Sequence, residues 1–409
     1  MLLEFIFKNA FSYRNEAYFS MEAEGRTRVK NEFPKFQNHR ILKSAAIFGA
    51  NASGKSNLSE SLRTFQRLII KPDNVSIPFP SFAGHKENPI EFCITIIKNE
   101  KIYRYSVSYL PKKILQEHLE IELANGTFKT YFERKGTEYS SLPKKLNILI
   151  DKTRSDNLFL NTAKTFNDEH CLAVFRWFME DLIILDSQIN LNQRLLKNLE
   201  NKNHKENVLF FMKSADINIE DIEVQEQPSS FYNTFKDMLG EVNEKLEISK
   251  TELRLRIKHR QYNDLDERID DFVLDFNQES IGTQKLLYLA LIILLNKNSV
   301  IFIDEFDTSL HIELARALLE LFNSEENSNQ FILTTHELSL MDSDFKREQI
   351  YFAERRENGV SDLFSAYDFD SETNRKDYSY LKRYLQGKFG AVPIIIVDSM
   401  KEALRYRGK

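Results

Sequence analysis

Gly49-Ala50-Asn51-Ala52-Ser53-Gly54-Lys55-Ser56 has the spacing G-x-x-x-x-G-K-S, a pattern of residues suited to nucleotide phosphates. The glycines let the backbone close around phosphate oxygens, and the loop amides with the N-terminus of a following helix supply partial positive charge. Lys55 carries a full charge to the β- and γ-phosphates, and Ser56 offers a hydroxyl to Mg²⁺. Asn51, Ser53 and the adjacent Asn57 are further candidate nucleotide contacts on this loop. An ordinary glycine turn is the alternative. The flanks disfavour it, because the apolar run Ser44 to Phe48 reads as a buried strand, and Leu58, Leu62, Phe65 and Ile69 fall on one helical face.

A phosphate loop of this kind works with a carboxylate at the end of a second strand. Val300-Ile301-Phe302-Ile303-Asp304-Glu305 provides one, with four apolar residues and then two acids. Asp304 is the candidate metal ligand beside Ser56, and Glu305 the candidate base that polarises the attacking water. The plainer reading is that both acids cap the next helix.

Two weaker features follow the same logic. Gln330 to Thr334 reads as another core strand, and it ends at Thr335-His336, so His336 stands where a γ-phosphate could be contacted. Glu279-Ser280-Ile281-Gly282-Thr283-Gln284 precedes an apolar helix, which makes Ser280 and the amides near Gly282 a helix N-terminus able to meet a phosphate. Alone, His336 could be an ordinary histidine and Ser280 an ordinary N-cap.

These residues need an α/β framework. Leu3, Phe5 and Phe7 alternate as a strand, followed by a second extended run from Ala17 to Met21. Ile90 to Ile96 and Tyr103 to Tyr109 alternate on either side of Lys98-Asn99-Glu100-Lys101, predicting an antiparallel hairpin continued by strands to about Arg134. Helices are expected to dominate from Asn157 to Gly240, with Phe175, Trp177, Phe178, Leu182 and Ile183 in the core. No heptad pattern lasts long enough for a coiled-coil arm. Leu253, Leu255 and Ile257 alternate with Arg254, Arg256 and Lys258, a strand whose basic face is either solvated or turned to a nucleic acid or other partner. Beyond residue 280 a helix from Thr283 to Leu295, the Val300 strand, a helix from Ile312 to Phe322 and the Gln330 strand form the rest of the core. The expected division is 1–185 and 251–409 as two parts of one domain, with 186–250 as a helical insertion.

Composition agrees with a large packed core. The 409 residues are 42% hydrophobic and 12% aromatic, which excludes a wholly disordered chain despite 29% charged residues. The net charge of −5 does not suit a protein that coats nucleic acid, although a local basic face leaves nucleic acid open as a ligand. Cys93 and Cys171 form neither a disulfide framework nor a metal-ligand pattern. The N-terminus lacks the basic flank of a signal peptide, and the longest apolar run, Leu286 to Leu295, is too short to span a bilayer. A cytoplasmic protein without membrane contact is expected.

The order of phosphate loop, antiparallel sheet, helical insert, Ser280 loop, Asp304-Glu305 strand and strand-end His336 resembles the ABC-class ATPase heads of the SMC and RecF type over most of the chain. The resemblance implies an α/β ABC-type head with a P-loop core sheet, an antiparallel β-subdomain and a helical insertion. It implies ATP and Mg²⁺ as cofactors, with Lys55, Glu305 and His336 as the catalytic set. Ser280, Gly282 and Gln284 correspond to the signature, Ser309-Leu310-His311 to the D-loop and His336 to the switch histidine; Gln116 is a candidate for the Q-loop glutamine. Two chains would then close head to head as a homodimer, the signature of one covering ATP held by the other.

The chain departs from the usual Leu-Ser-Gly-Gly-Gln signature, with Ile281 between Ser280 and Gly282, Thr283 for the second glycine, and His311 for the usual D-loop aspartate. These departures, with Tyr384-Leu385-Gln386-Gly387-Lys388-Phe389-Gly390-Ala391-Val392-Pro393, are similar to the AAA15-type, RloA-like ATPases of abortive infection and other anti-phage systems. That likeness implies a switch that senses infection and controls a separately encoded effector, a nuclease, since sixteen residues after Pro393 are too few for another domain. The alternative is a RecF-like or SMC-like DNA-binding ATPase of repair or maintenance. A transporter subunit fits the altered signature less well. The C-terminal stretch is either a loop shaped by Gly387 and Gly390 with a closing strand from Val392 to Val397, or a basic docking patch of Lys382, Arg383 and Lys388.

Overall fold

The computed structural model describes residues 1–23, 31–70, 76–186, 189, 191–228, 251–343, 345–369, 379–390 and 397–405. Two compact units are present: Met1–Leu185 with Asn298–Phe306 and Leu318–Lys409, and Asp186–Lys297 with Asp307–Ala317.

The first unit opens with β1 (Leu2–Lys8), β2 (Ala17–Ser20), β3 (Ser44–Phe48) and helix α1 (Lys55–Ile70). Strands β4 (Ile90–Lys98), β5 (Lys101–Leu110), β6 (Lys113–Glu122), β7 (Phe128–Lys135) and β8 (Glu138–Ser141) follow, then α2 (Phe159–Thr165), α3 (Glu169–Arg176) and β9 (Leu182–Leu185). The second unit holds α4 (Gln193–Asn198), α5 (Lys202–Ser214), β10 (Asp221–Pro228), β11 (Thr251–Tyr262), β12 (Arg268–Asp275) and α6 (Ile281–Leu295). The chain continues through β13 (Val300–Ile303), α7 (Ile312–Asn323), β14 (Gln330–Thr334), β15 (Ile350–Arg355), β16 (Ser361–Ser365), α8 (Tyr380–Leu385) and α9 (Val397–Arg405).

In the first unit a seven-stranded sheet, ordered β2-β1-β4-β5-β6-β7-β8, is antiparallel throughout. The β4–β5 turn is tight because Asn99 and Glu100 both take positive φ, 51° and 59°, the geometry that matches the twist of a two-residue hairpin. The second sheet, ordered β16-β15-β3-β14-β13-β9, is parallel except at β16. Three of its inner strands, β3, β13 and β14, are buried at every residue, as parallel strands covered on both faces must be. Helix α1 joins the two sheets into one core. Phe65 stacks on Phe92 with ring centroids 4.9 Å apart and meets Phe178 edge-on at 5.0 Å, and the same cluster takes in Ile47, Phe302 and Ile332.

Helices fill most of the described part of 157–240, as expected, but not all of it. Leu182–Leu185 is a strand, paired in parallel with β13, and Asp221–Pro228 is another; the rest of the stretch from residue 229 lies outside the described residues. A four-residue apolar run carrying two isoleucines suits a covered strand end as well as a helix, and periodicity alone cannot separate the two. Val397 opens a helix rather than closing a strand, and 391–396 lie outside the described residues.

In the second unit β10, β11 and β12 form an antiparallel sheet. Helix α6 buries Leu286, Leu287, Leu289, Ala290, Leu291 and Ile292 and packs against α5.

Candidate functional site

Strand β14 organises the site. It pairs in parallel with β3 on one side, Thr334 opposite Ile47, and with β13 on the other, Leu333 opposite Ile303. The three strands therefore end at one level. Gly49 leaves β3 there, His336 leaves β14 and Asp304-Glu305 leave β13, with neighbouring strands about 4.8 Å apart.

Only glycine fits the two hinge points of the phosphate loop. Gly49 has φ of 154° and Gly54 of 114°. A Cβ on Gly49 would lie 2.3 Å from the Ala353 carbonyl oxygen of β15, and one on Gly54 would lie 2.5 Å from the Ser361 Oγ of β16. Lys55 is buried; its Nζ donates to the carbonyls of Gly49 at 2.8 Å and Ala50 at 2.9 Å, and lies 3.4 Å from His336 Nδ1. Lysine is a donor only, so Nδ1 is the accepting nitrogen in that contact.

The loop fits a phosphate. Ser53 Oγ is buried beneath Gly49 without a hydrogen-bond partner, a state that costs about 1–3 kcal/mol until an acceptor is supplied. Ser56 and Asn51 are exposed at the open side, and Asn57 is half-buried.

Four residues brace the loop from below, and the sequence reading missed three of them. Ser361 Oγ contacts the Ser53 carbonyl and Ser12 Oγ, both at 2.7 Å, and Asn57 Nδ2 donates to Ser12 Oγ at 2.7 Å. The Tyr13 hydroxyl donates to the Gly54 carbonyl at 3.2 Å; burial, with the Asp362 charge, raises its pKa and keeps it a donor. Ser12 and Tyr13 lie in the polar turn after β1, where their types carried no signal.

At the end of β13, Thr334 holds both acids. Its Oγ1 donates to Asp304 Oδ1 at 2.5 Å and accepts the Glu305 N–H at 2.8 Å, while the Asp304 N–H reaches the Leu185 carbonyl of β9 at 3.1 Å. Glu305 takes a positive φ of 51°, so the chain turns sharply between the two carboxylates. Neither caps α7, which starts at Ile312. A threonine in the last position of a buried strand, two residues before a histidine, was the available signal for Thr334.

Ser280, Gly282, Gln284 and Ser309 come together in the second unit. Ser280 is the N-cap of α6, its Oγ accepting the Thr283 N–H at 3.1 Å, and Gln284 Nε2 donates to the Glu279 carbonyl at 2.7 Å. A Cβ on Gly282 would lie 2.8 Å from the carbonyl oxygen of Ser309, itself at φ of 64°, and Lys285 Nζ donates to the Thr308 carbonyl at 2.8 Å. His259, also missed, holds the Glu279 carboxylate at 2.5 Å and stacks on Phe272 at 5.3 Å.

Gln116 is not on a loop. It is exposed on β6, opposite Ser108 and Lys135, because the alternation that buries Glu117 and Leu119 fixes this stretch as a strand. The basic face of β11 is ion-paired within its own unit: Arg254 with Glu252 at 2.8 Å, Lys258 with Asp271 at 3.1 Å and Arg260 with Glu220 at 2.6 Å. Among the described residues no group of three or more His, Cys, Asp or Glu is placed to hold a metal ion, and no helix is long and apolar enough to cross a membrane.

Residues 44–342 match the family model described as "AAA domain, putative AbiEii toxin, Type IV TA system". The chain belongs to this AAA_21 family. The AAA_21 match runs from the first residue of β3 to Asp342, just past His336, and so spans the P-loop ATPase elements. No curated protein sequence matches the chain significantly. Among solved structures it is similar to an Smc head bound to the C-winged helix domain of ScpA, at 16% identity and a TM-score of 0.43 over 89% of this chain and 97% of that one. An SMC head domain from Thermotoga maritima is similar at 16% identity and a TM-score of 0.37, covering 89% and 98%. An Smc head with an extended coiled coil, bound to the C-terminal domain of ScpA derived from Pyrococcus furiosus, gives 14%, 0.37, 89% and 96%.

Proposed function

We propose that this AAA_21 protein is an ATP-hydrolysing molecular switch. The observation that supports the reading is the shared edge of β3, β14 and β13, where Lys55, His336, Asp304 and Glu305 leave adjacent strands and Thr334 ties the two acids to the central one. Gly49, Asn51, Ser53, Gly54, Lys55, Ser56 and Asn57 bind the triphosphate. Ser56 and Asp304 would hold Mg²⁺, which when bound neutralises phosphate charge. Glu305 takes a proton from the attacking water as its oxygen bonds to the γ-phosphorus and the bond to the ADP oxygen breaks. Lys55 and His336 donate to the γ-phosphoryl oxygens, where negative charge must be stabilised.

Two chains close head to head, so that Ser280, Gly282, Gln284 and Ser309 of one face the γ-phosphate held by the other.

The biological setting is bacterial anti-phage defence in the cytoplasm, with closure and hydrolysis governing a separately encoded effector, a nuclease. The AAA_21 description and the likeness of the Ser280, His311 and Tyr384–Pro393 motifs to AAA15-type, RloA-like proteins support this setting. No observation favours the DNA-maintenance reading, since the β11 cations already have acidic partners. The test is affinity purification of tagged Glu305→Gln protein from its host, where blocked hydrolysis holds the ATP-closed state. A stoichiometric nuclease or other toxin-like protein is expected; DNA with repair proteins would contradict the defence role.

A further inference from the structure

The segment Ser379–Gly390 lies beyond the AAA_21 match, yet it is built onto the framework of the site at two places. The first is Asp342, the last residue of a 3₁₀ turn, Leu338–Asp342, that begins two residues after His336. Asp342 Oδ1 accepts the backbone N–H of Tyr380 at 2.7 Å and of Leu381 at 3.3 Å, and Oδ2 accepts the Ser379 hydroxyl at 2.6 Å. Ser379 Oγ in turn accepts the Lys382 N–H at 3.0 Å. One carboxylate thus completes the cap of α8.

The second place is Phe352 on β15, which lies opposite Phe48, the residue before Gly49. Tyr384 and Phe389, both buried, stack on Phe352 with centroids 5.7 and 4.8 Å away. Gly390, at φ of 65°, passes over the Glu354 carboxylate, which a Cβ would meet at 3.0 Å.

His336 is exposed between two anchors. Before it, the Thr335 N–H donates to the Ile47 carbonyl at 3.1 Å. After it, Glu337 caps the turn through the Ser339 N–H at 3.0 Å, Leu340 and Met341 are buried, and Asp342 binds α8. We infer that Asp342 is a positioning residue for His336: by gripping the first turn of α8 it fixes the far end of the 3₁₀ turn and so the approach of the imidazole to the γ-phosphate. Three donors converge on one carboxylate, so the first turn of α8 is held at three points. A displacement of about 1 Å at a group that acts on the transition state costs up to about 10²-fold in rate, far more than an exposed cap costs in stability.

This inference rests on the reading of His336 given above, and the experiment separates the two. Steady-state ATP hydrolysis is measured for wild type, His336→Ala, Asp342→Ala, Asp342→Asn, Ser379→Ala and the Asp342→Ala/His336→Ala double variant. Asp342→Ala is expected to lower kcat about tenfold with KM for ATP changed less than about twofold, the pattern of a group felt in the transition state. Asp342→Asn restores most of the rate, because its oxygen still accepts both N–H groups and its amide donates to Ser379 Oγ. Ser379→Ala shows a smaller fall, and it decides the matter with Asp342→Asn if Asp342→Ala does not fold. The double variant is no slower than His336→Ala alone, as coupled residues require. Full activity in Asp342→Ala and Ser379→Ala, or a double variant in which the two losses simply add, would overturn the inference while leaving His336 in its role. An inactive wild type, or His336→Ala at full rate, would overturn that role and this inference with it.

Discussion

Thr334 Oγ1 and Asp304 Oδ1 are 2.5 Å apart, and the same hydroxyl receives the Glu305 N–H. A fully buried threonine at the end of β14 thereby sets the direction of both candidate acids on β13. Thr334→Val keeps the shape and removes both bonds. It is expected to lower stability by about 1–3 kcal/mol and kcat by about tenfold or more, whereas Thr334→Ser keeps most of the rate. Thermal unfolding and phosphate release measure the two effects; a Thr334→Val protein with the wild-type rate would remove Thr334 from the account.

Gly282 packs on Ser309 too closely for any side chain, since a Cβ would be 2.8 Å from its carbonyl oxygen. Gly282→Ala is expected to cost about 1–3 kcal/mol through overpacking and to reduce turnover at least tenfold, because the Ser280 and Ser309 loops must shift apart. ATP binding to residues 49–57, which belong to the other unit, should persist. Nucleotide titration beside turnover checks this, and loss of binding together with turnover would show that the two loops are not separable in function.

The core sheet is legible in the residues: β3, β13 and β14 lie where their apolar runs predict, since fully buried parallel strands have little freedom in composition. The phosphate loop is equally legible, because Gly49 and Gly54 are sites no other residue fits. Leu182–Leu185 was misjudged for the converse reason: a four-residue strand at the sheet edge has too few positions to show a period. Ser12, Tyr13 and Ser361 were missed because their roles arise from pairing across 41 to 349 residues, and a lone hydroxyl in a turn or at the start of a strand carries no pattern of its own.

His39 is held between Glu22, 2.7 Å from Nδ1, and Glu122, 2.9 Å from Nε2. Burial works against its charge, but hydrogen bonds to Glu122 and Glu22 outweigh this and raise its pKa above the ordinary 6.5. The stabilisation from charged His39 is therefore fully present below pH 6.5 and is lost as pH rises through the folded value. Thermal unfolding followed from about pH 6 to about pH 9 should show a fall on the alkaline side that His39→Gln flattens. Parallel curves for the two proteins would remove His39 as the cause.

In the proposed mechanism the edge formed by β3, β14 and β13 hydrolyses ATP with Glu305 as the base. Phosphate release from ATP and Mg²⁺, compared between wild type and Glu305→Gln at matched protein concentration, tests it most directly. Steady turnover by wild type is expected, with a fall of about 10²-fold or more in Glu305→Gln while ATP stays bound. Equal rates in the two proteins, or no turnover by wild type when it binds ATP, would contradict it.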